Sequence, residues 1–120
     1  MTPTSTELRP VHVFHFAVPA AWEIAQPIGE YAPPLLAEEG FLHCATETQI
    51  AGVVARYLRG AGPRVRLEID AAALGDSLRY EWSEGSGDYY PHVYGPIPLS
   101  AVIATEPFEA PADGSDGSRA

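Results

Sequence analysis

Three of the four histidines stand where polar rings are costly to place. His15 lies in Phe14-His15-Phe16, His43 in Leu42-His43-Cys44 and His92 in Pro91-His92-Val93. A buried imidazole needs a partner for each ring nitrogen. Either each ring sits singly in the core against backbone groups, or the three ring edges line one partly wet pocket. Three such demands in one small domain favour the shared pocket, and imidazoles titrating near neutral pH suit it to acid–base work. His12 reads as an ordinary strand-edge residue. Imidazole is also the commonest zinc ligand, but no His-x-x-x-His or Cys-x-x-Cys spacing is present, so no metal is expected. Cys44 is next to His43, and neighbours on a strand point to opposite faces, so the two cannot form a nucleophile–base pair. With His43 toward the pocket, Cys44 faces the core as a small hydrophobe. Among the carboxylates Glu81, between Tyr80 and Trp82, is the first to place at a pocket rim, with a solvent-facing strand position as its simpler reading. Asp70 reads as a cap and Asp88 as loop. Tyr90, Tyr94 and Trp22 offer flat faces for a planar ligand, or serve as core.

The elements that must hold these residues centre on Gly40-Phe41-Leu42-His43-Cys44-Ala45-Thr46-Glu47-Thr48-Gln49. Thr46 with Gln49 three residues later is a capping box, so a short strand ends near Cys44 and a helix leaves from Thr46. Its apolar stripe is Ile50, Val53, Val54, Tyr57 and Leu58, closed by Gly60, Gly62 and Pro63. Upstream, Val11–Val18 reads as a first strand, with His12, Phe14 and Phe16 on one face and Val11, Val13, His15 and Ala17 on the other. Pro19 ends it, Ala20–Gln26 is a short helix anchored by Trp22, and Ile28–Pro34 is a turn-rich link. One helical turn over Leu35–Glu39 stops at Gly40. Downstream, Arg64–Ile69 alternates as a half-buried strand, and Asp70 caps Ala71–Leu74. Leu78–Trp82 is a strand, Ser83–Asp88 a polar loop, and Val102–Thr105 with Phe108 a last strand. The prolines and glycines of Tyr89–Ile97 argue against a long regular strand there. Residues 1–10 read as a flexible arm, 11–109 as a single domain and 110–120 as a disordered tail. The resulting class is α+β, mainly antiparallel strands with two or three short helices.

Composition sets the outer bounds. The chain has 120 residues, 46% hydrophobic, with no lysine and a formal net charge of −9. That charge disfavours general nucleic-acid binding, which needs clustered cations, and an anionic membrane surface. It leaves room for one small-molecule or nucleotide ligand held by local donors. No apolar run spans a bilayer, the first residues carry no signal-peptide core, and the single cysteine precludes an internal disulfide. A cytoplasmic location is the expectation. The oligomeric state is open.

Phe14-His15, Trp22, Gly40-Phe41-Leu42-His43-Cys44-Ala45-Thr46 with Gln49, Leu67-Glu68-Ile69-Asp70, Glu81, and Tyr90-Pro91-His92-Val93-Tyr94-Gly95-Pro96-Ile97 together resemble the DUF952 family of small uncharacterised proteins. The resemblance runs from about Val11 to Phe108. It implies an ADP-ribosyltransferase-like fold, with NAD in a cleft between two small sheets. By that analogy His15 holds the ribose, His43 stacks and hydrogen-bonds, and His92 falls in the third segment, where a Glu is usual and none is present. Cleaving the nicotinamide–ribose bond builds positive charge that a carboxylate stabilises. The implied catalytic residues are His15, His43 and His92, and the implied NAD contacts His15, His43, Thr46, Tyr90 and Tyr94. Three functions are open on these grounds: an NAD-binding transferase acting on a small or phosphate-containing acceptor, a non-catalytic nucleotide or metabolite binding module, and a hydrolase using His43 and His92 as an acid–base pair.

Overall fold

The computed structural model describes residues 11–112. The arm over 1–10 and the tail beyond residue 112 lie outside the described residues. Among the described residues, β1 (His12–Ala17), β4 (Arg64–Asp70) and β8 (Val102–Phe108) form one sheet in the order β1-β4-β8. A second sheet has the order β3-β6-β5, from β3 (Leu42–His43), β6 (Asp88–Val93) and β5 (Leu78–Ser83). A small ribbon pairs β2 (Glu30–Tyr31) with β7 (Ile97–Pro98). Every pairing between these strands is antiparallel, and with the short helices this is the expected α+β class.

The helices obey local chemistry. α1 (Pro19–Ile28) starts with proline in its first turn, where the missing amide has no partner to lose, and closes on Gly29 at φ 93°. It runs past the expected end at Gln26 because Pro27, near its end, costs little more than one amide bond. α2 (Pro34–Glu39) closes on Gly40 at φ 88°, whose N–H donates to the Leu36 carbonyl at 2.8 Å. The capping box at Thr46 forms, with Gln49 Oε1 accepting from the Thr46 amide at 3.0 Å. The segment it opens is not one regular helix. A 3₁₀ turn (Glu47–Gln49) leads into α3 (Ile50–Val53), which widens into a π turn (Val54–Leu58). The wider turn shifts the helical phase. Leu58 still reaches the core, but Tyr57, expected on the apolar stripe, is 68% exposed. α4 (Ala71–Leu74) is capped by Asp70, whose Oδ1 accepts from the Ala72 amide at 3.1 Å.

The segment around Pro91 departs from expectation. It forms a six-residue strand, β6, in the centre of its sheet. A strand residue's N–H and C=O point to the same side. The Pro91 carbonyl accepts from the Cys44 amide at 3.0 Å, so its missing donor faces the point where the chain leaves β3 for α3. The missing ladder bond falls where the partner strand has already ended.

The core lies between the sheets and under α1: Val13, Leu42, Leu67, Ile69, Val93 and Ile97 are fully buried. The two larger sheets join directly, since Phe14 and Ala45 exchange N–H···O bonds of 2.8 Å in each direction. Residue 110 was expected to open the tail, yet Ala110 is buried and its carbonyl accepts from the Gly60 amide at 3.1 Å.

Candidate functional site

In the β3-β6-β5 sheet, Leu42, Val93 and Pro91 point into the core. The alternate residues therefore share the outer face. There His43 is directly opposite His92, and His92 is directly opposite Arg79. Three nitrogen-bearing side chains thus form one row across three strands. The His43 and His92 rings meet edge to face with centroids 5.3 Å apart. Two imidazoles of the expected trio converge.

Each of the two rings is backed by a carboxylate. His43 Nε2 donates to Glu39 Oε1 at 2.8 Å, and His92 Nδ1 donates to Glu81 Oε1 at 2.7 Å. A carboxylate accepts, so each bond fixes which nitrogen carries the proton. In its neutral form each ring then leaves one lone pair outward, at His43 Nδ1 and at His92 Nε2. Glu81 Oε1 also accepts from the Tyr94 hydroxyl at 2.7 Å. The Tyr94 bond first, and the His92 bond second, hold the Glu81 carboxyl below the usual carboxylate range. The same bond pushes the Tyr94 hydroxyl up. Phe41 stacks on His92 at 4.4 Å and lies 5.3 Å from the Tyr94 ring. The Arg79 guanidinium sits over the Tyr94 ring, its central carbon 4.7 Å from the ring centroid. His92 is largely covered, with its side chain 13% exposed, while His43 is open at 58%.

His15 does not place its ring on this face. It is buried on β1, and its Nδ1 donates to the His43 carbonyl at 2.7 Å. With Nδ1 protonated, Nε2 accepts from the Tyr31 hydroxyl at 3.0 Å. Burial lowers its pKa from 6.5 to about 4, so the ring is neutral. Both nitrogens are used internally, and His15 grips the backbone from which the His43 side chain projects. Of the three histidines, His43 and His92 meet on the outer sheet face, and His15 takes the single, backbone-bonded arrangement. Cys44 faces the core, where burial pushes its thiol up to about 12.

The other candidates fall nearby or elsewhere. Tyr90 is opposite Glu81 on the same face, and its hydroxyl accepts from Arg56 at 2.8 Å. That guanidinium pulls the Tyr90 hydroxyl down from its ordinary pKa. Thr46 serves the start of the helical segment, and Gln49 beside it donates to Asp88 Oδ2 at 3.0 Å and to the Tyr89 carbonyl at 2.7 Å. Trp22 packs on Tyr31 at 5.9 Å, in the core rather than at the row. His12 pairs with Glu68 at 2.6 Å on the edge strand β1. Among the described residues no group of three His, Cys, Asp or Glu side chains is placed to hold a metal ion.

Sequence reasoning passed over Glu39, Phe41 and Arg79. Arg79 shares the parity of Glu81 on β5, so placing Glu81 on the outer face placed Arg79 there too. The signal for Phe41 was its position two residues before His43. Glu39 carried none, because only the reversal at Gly40 folds it back onto His43.

Comparison with known proteins agrees with this architecture. The crystal structure of protein CC0527 from Caulobacter crescentus superposes with a TM-score of 0.76 at 28% identity, covering 90% of this chain and 96% of that one. The solution structure of the same protein gives a TM-score of 0.73 at 27% identity, covering 92% and 97%. Among curated proteins none matches the chain. The model of the family DUF952, described as a protein of unknown function, matches residues 17–105. The span takes in β3, β5 and β6 with their row of side chains, and the chain belongs to the DUF952 family.

Proposed function

We propose that the outer face of the β3-β6-β5 sheet is a nucleotide site, and that the protein is an ADP-ribosyltransferase-like enzyme with NAD as donor substrate and a small or phosphate-containing acceptor. The observation that carries this reading is Glu81. The third segment lacks its own Glu, but β5 delivers a carboxylate 2.7 Å from His92 Nδ1. When the C1′–N bond breaks, its electron pair leaves with neutral nicotinamide and positive charge develops on the ribose. An ionised carboxylate held in place by Tyr94 and His92 opposes that charge. His43 Nδ1 takes the proton from the acceptor hydroxyl as the new C1′–O bond forms. Phe41 and Tyr94 supply flat surfaces for a planar ring. His15 supports the site through the His43 backbone.

The test is nicotinamide release from NAD, measured by chromatography. Release by the native protein, reduced about a hundredfold or more in Glu81→Gln, is the expected result. Release that is unchanged in Glu81→Gln, or no release with any small acceptor, overturns the reading. The two His–carboxylate pairs favour a second reading, the His43/His92 acid–base hydrolase. Under it, phosphodiester or ester substrates turn over while NAD does not.

A further inference from the structure

We propose that Arg79, together with His43 and His92, forms a subsite for a phosphate or diphosphate group, and that Arg79 determines selectivity for anionic ligands at this face. The inference rests on the reading of that face as a ligand site and names the ligand chemistry it selects.

Strand register sets the row. His43, His92 and Arg79 are directly opposite one another on β3, β6 and β5. Directly opposed residues on one face have Cβ atoms about 4.5–5.5 Å apart, so the guanidinium and the two imidazoles stand in a line that a phosphate or diphosphate can span, each imidazole donating through its second nitrogen when it carries a second proton. With both rings protonated, three cations so aligned repel one another unless an anion sits among them. The two flanking carboxylates account for two of the three: Glu39 pairs with His43 and Glu81 with His92. Arg79 has no carboxylate within ion-pair distance among the described residues, in a chain where acidic residues outnumber basic ones by 16 to 7. Its polarised partner is the Tyr94 ring, 4.7 Å from the guanidinium carbon. Stacking of this kind holds the planar fork and leaves its N–H edge for a ligand. Glu81 is near enough to feel the Arg79 charge but takes its hydrogen bonds from Tyr94 and His92. A guanidinium fork matches two oxygens of one phosphate, and the imidazole line continues toward a second.

The experiment uses inorganic pyrophosphate as probe, at constant ionic strength, on the full chain. It tracks the imidazole signals of His43 and His92 and the guanidinium signal of Arg79 by NMR. Saturable shifts of all three, weakened about tenfold or more in Arg79→Gln and partly restored in Arg79→Lys, are expected. Arg59→Gln controls for general charge, since Arg59 is exposed and its backbone pairs with Ala110, outside the β3-β6-β5 sheet. The proposal fails if pyrophosphate gives no saturable shift, if Arg79→Gln binds like the native protein, or if Arg59→Gln weakens binding equally. Matching backbone spectra confirm that the variants are folded. Arg79-dependent pyrophosphate binding without nicotinamide release keeps the subsite and removes the transferase reading. Nicotinamide release with pyrophosphate binding indifferent to Arg79 does the reverse.

Discussion

His15 shows how one side chain can hold the backbone of a strand whose side chains it does not join. Its two ring nitrogens join Tyr31 on β2 to the backbone of β3, and its burial keeps it neutral. The folded pKa is about 4 against 6.5 for a free imidazole, so between those values the unfolded chain binds a proton that the folded chain refuses. Stability therefore falls as pH drops from about 6.5 to 4, by up to roughly 3 kcal/mol from this group. The lowered carboxylates act further toward acid. Glu81 and Asp88 start from 4.5 and 3.8 and are lowered from there, so their contribution is lost mainly from about 4.5 downward, overlapping only the acid end of the His15 window. Denaturant titrations at a series of pH values should show the decline from 6.5 to 4, and His15→Gln should flatten it while lowering stability at pH 7. A native profile already flat above pH 4.5 would contradict the buried, neutral assignment.

At the scale of elements, Gly40 turns α2 back onto β3 and so sets Glu39 beside His43. Its φ of 88° is open to glycine and strained for alanine, while a Cβ there would meet nothing within 4 Å. The cost of Gly40→Ala is therefore backbone strain alone, about 1–2 kcal/mol. Thermal unfolding should register that loss, and the His43 imidazole signal should move as its Glu39 bond is disturbed. An unchanged melting temperature would show that the turn relaxes freely. The helical segment after Thr46 is tied to β6 at two places, by Gln49 to Asp88 and Tyr89 and by Arg56 to Tyr90. These exposed bonds orient the edge of the site and add little to overall stability.

Across the whole molecule, the two main sheets are joined at Phe14 and Ala45, immediately beside the candidate residues. His15 comes directly after Phe14, and His43 stands two residues before Ala45. The site face cannot shift against the β1-β4-β8 sheet without breaking that bridge. Hydrogen exchange should therefore find the Phe14 and Ala45 amides opening only with global unfolding. The amides of Ser86 and Gly87, bonded to Ser83 across an exposed turn, should exchange faster by about three orders of magnitude or more. Fast exchange at Ala45 would show that the sheets part locally. Among the described residues no helix is long and apolar enough to cross a membrane.

Much of this architecture was legible locally. The period-two pattern of Arg64–Ile69, the capping box at Thr46, the Asp70 cap and the glycine stop at Gly40 each express chemistry confined to a few neighbouring residues, and each appears as expected. The opposition of His43 and Cys44 came from strand geometry alone. The phase slip at Tyr57 and the central place of Pro91 did not, because both depend on what lies across from them. The site divides the same way. Composition and spacing singled out the histidines, but which imidazoles meet is a matter of strand register, and register is decided by distant residues pairing. Only the folded sheet places Arg79 opposite His92, brings Glu81 to the ring the third segment left without a carboxylate, and turns His15 inward to hold the backbone.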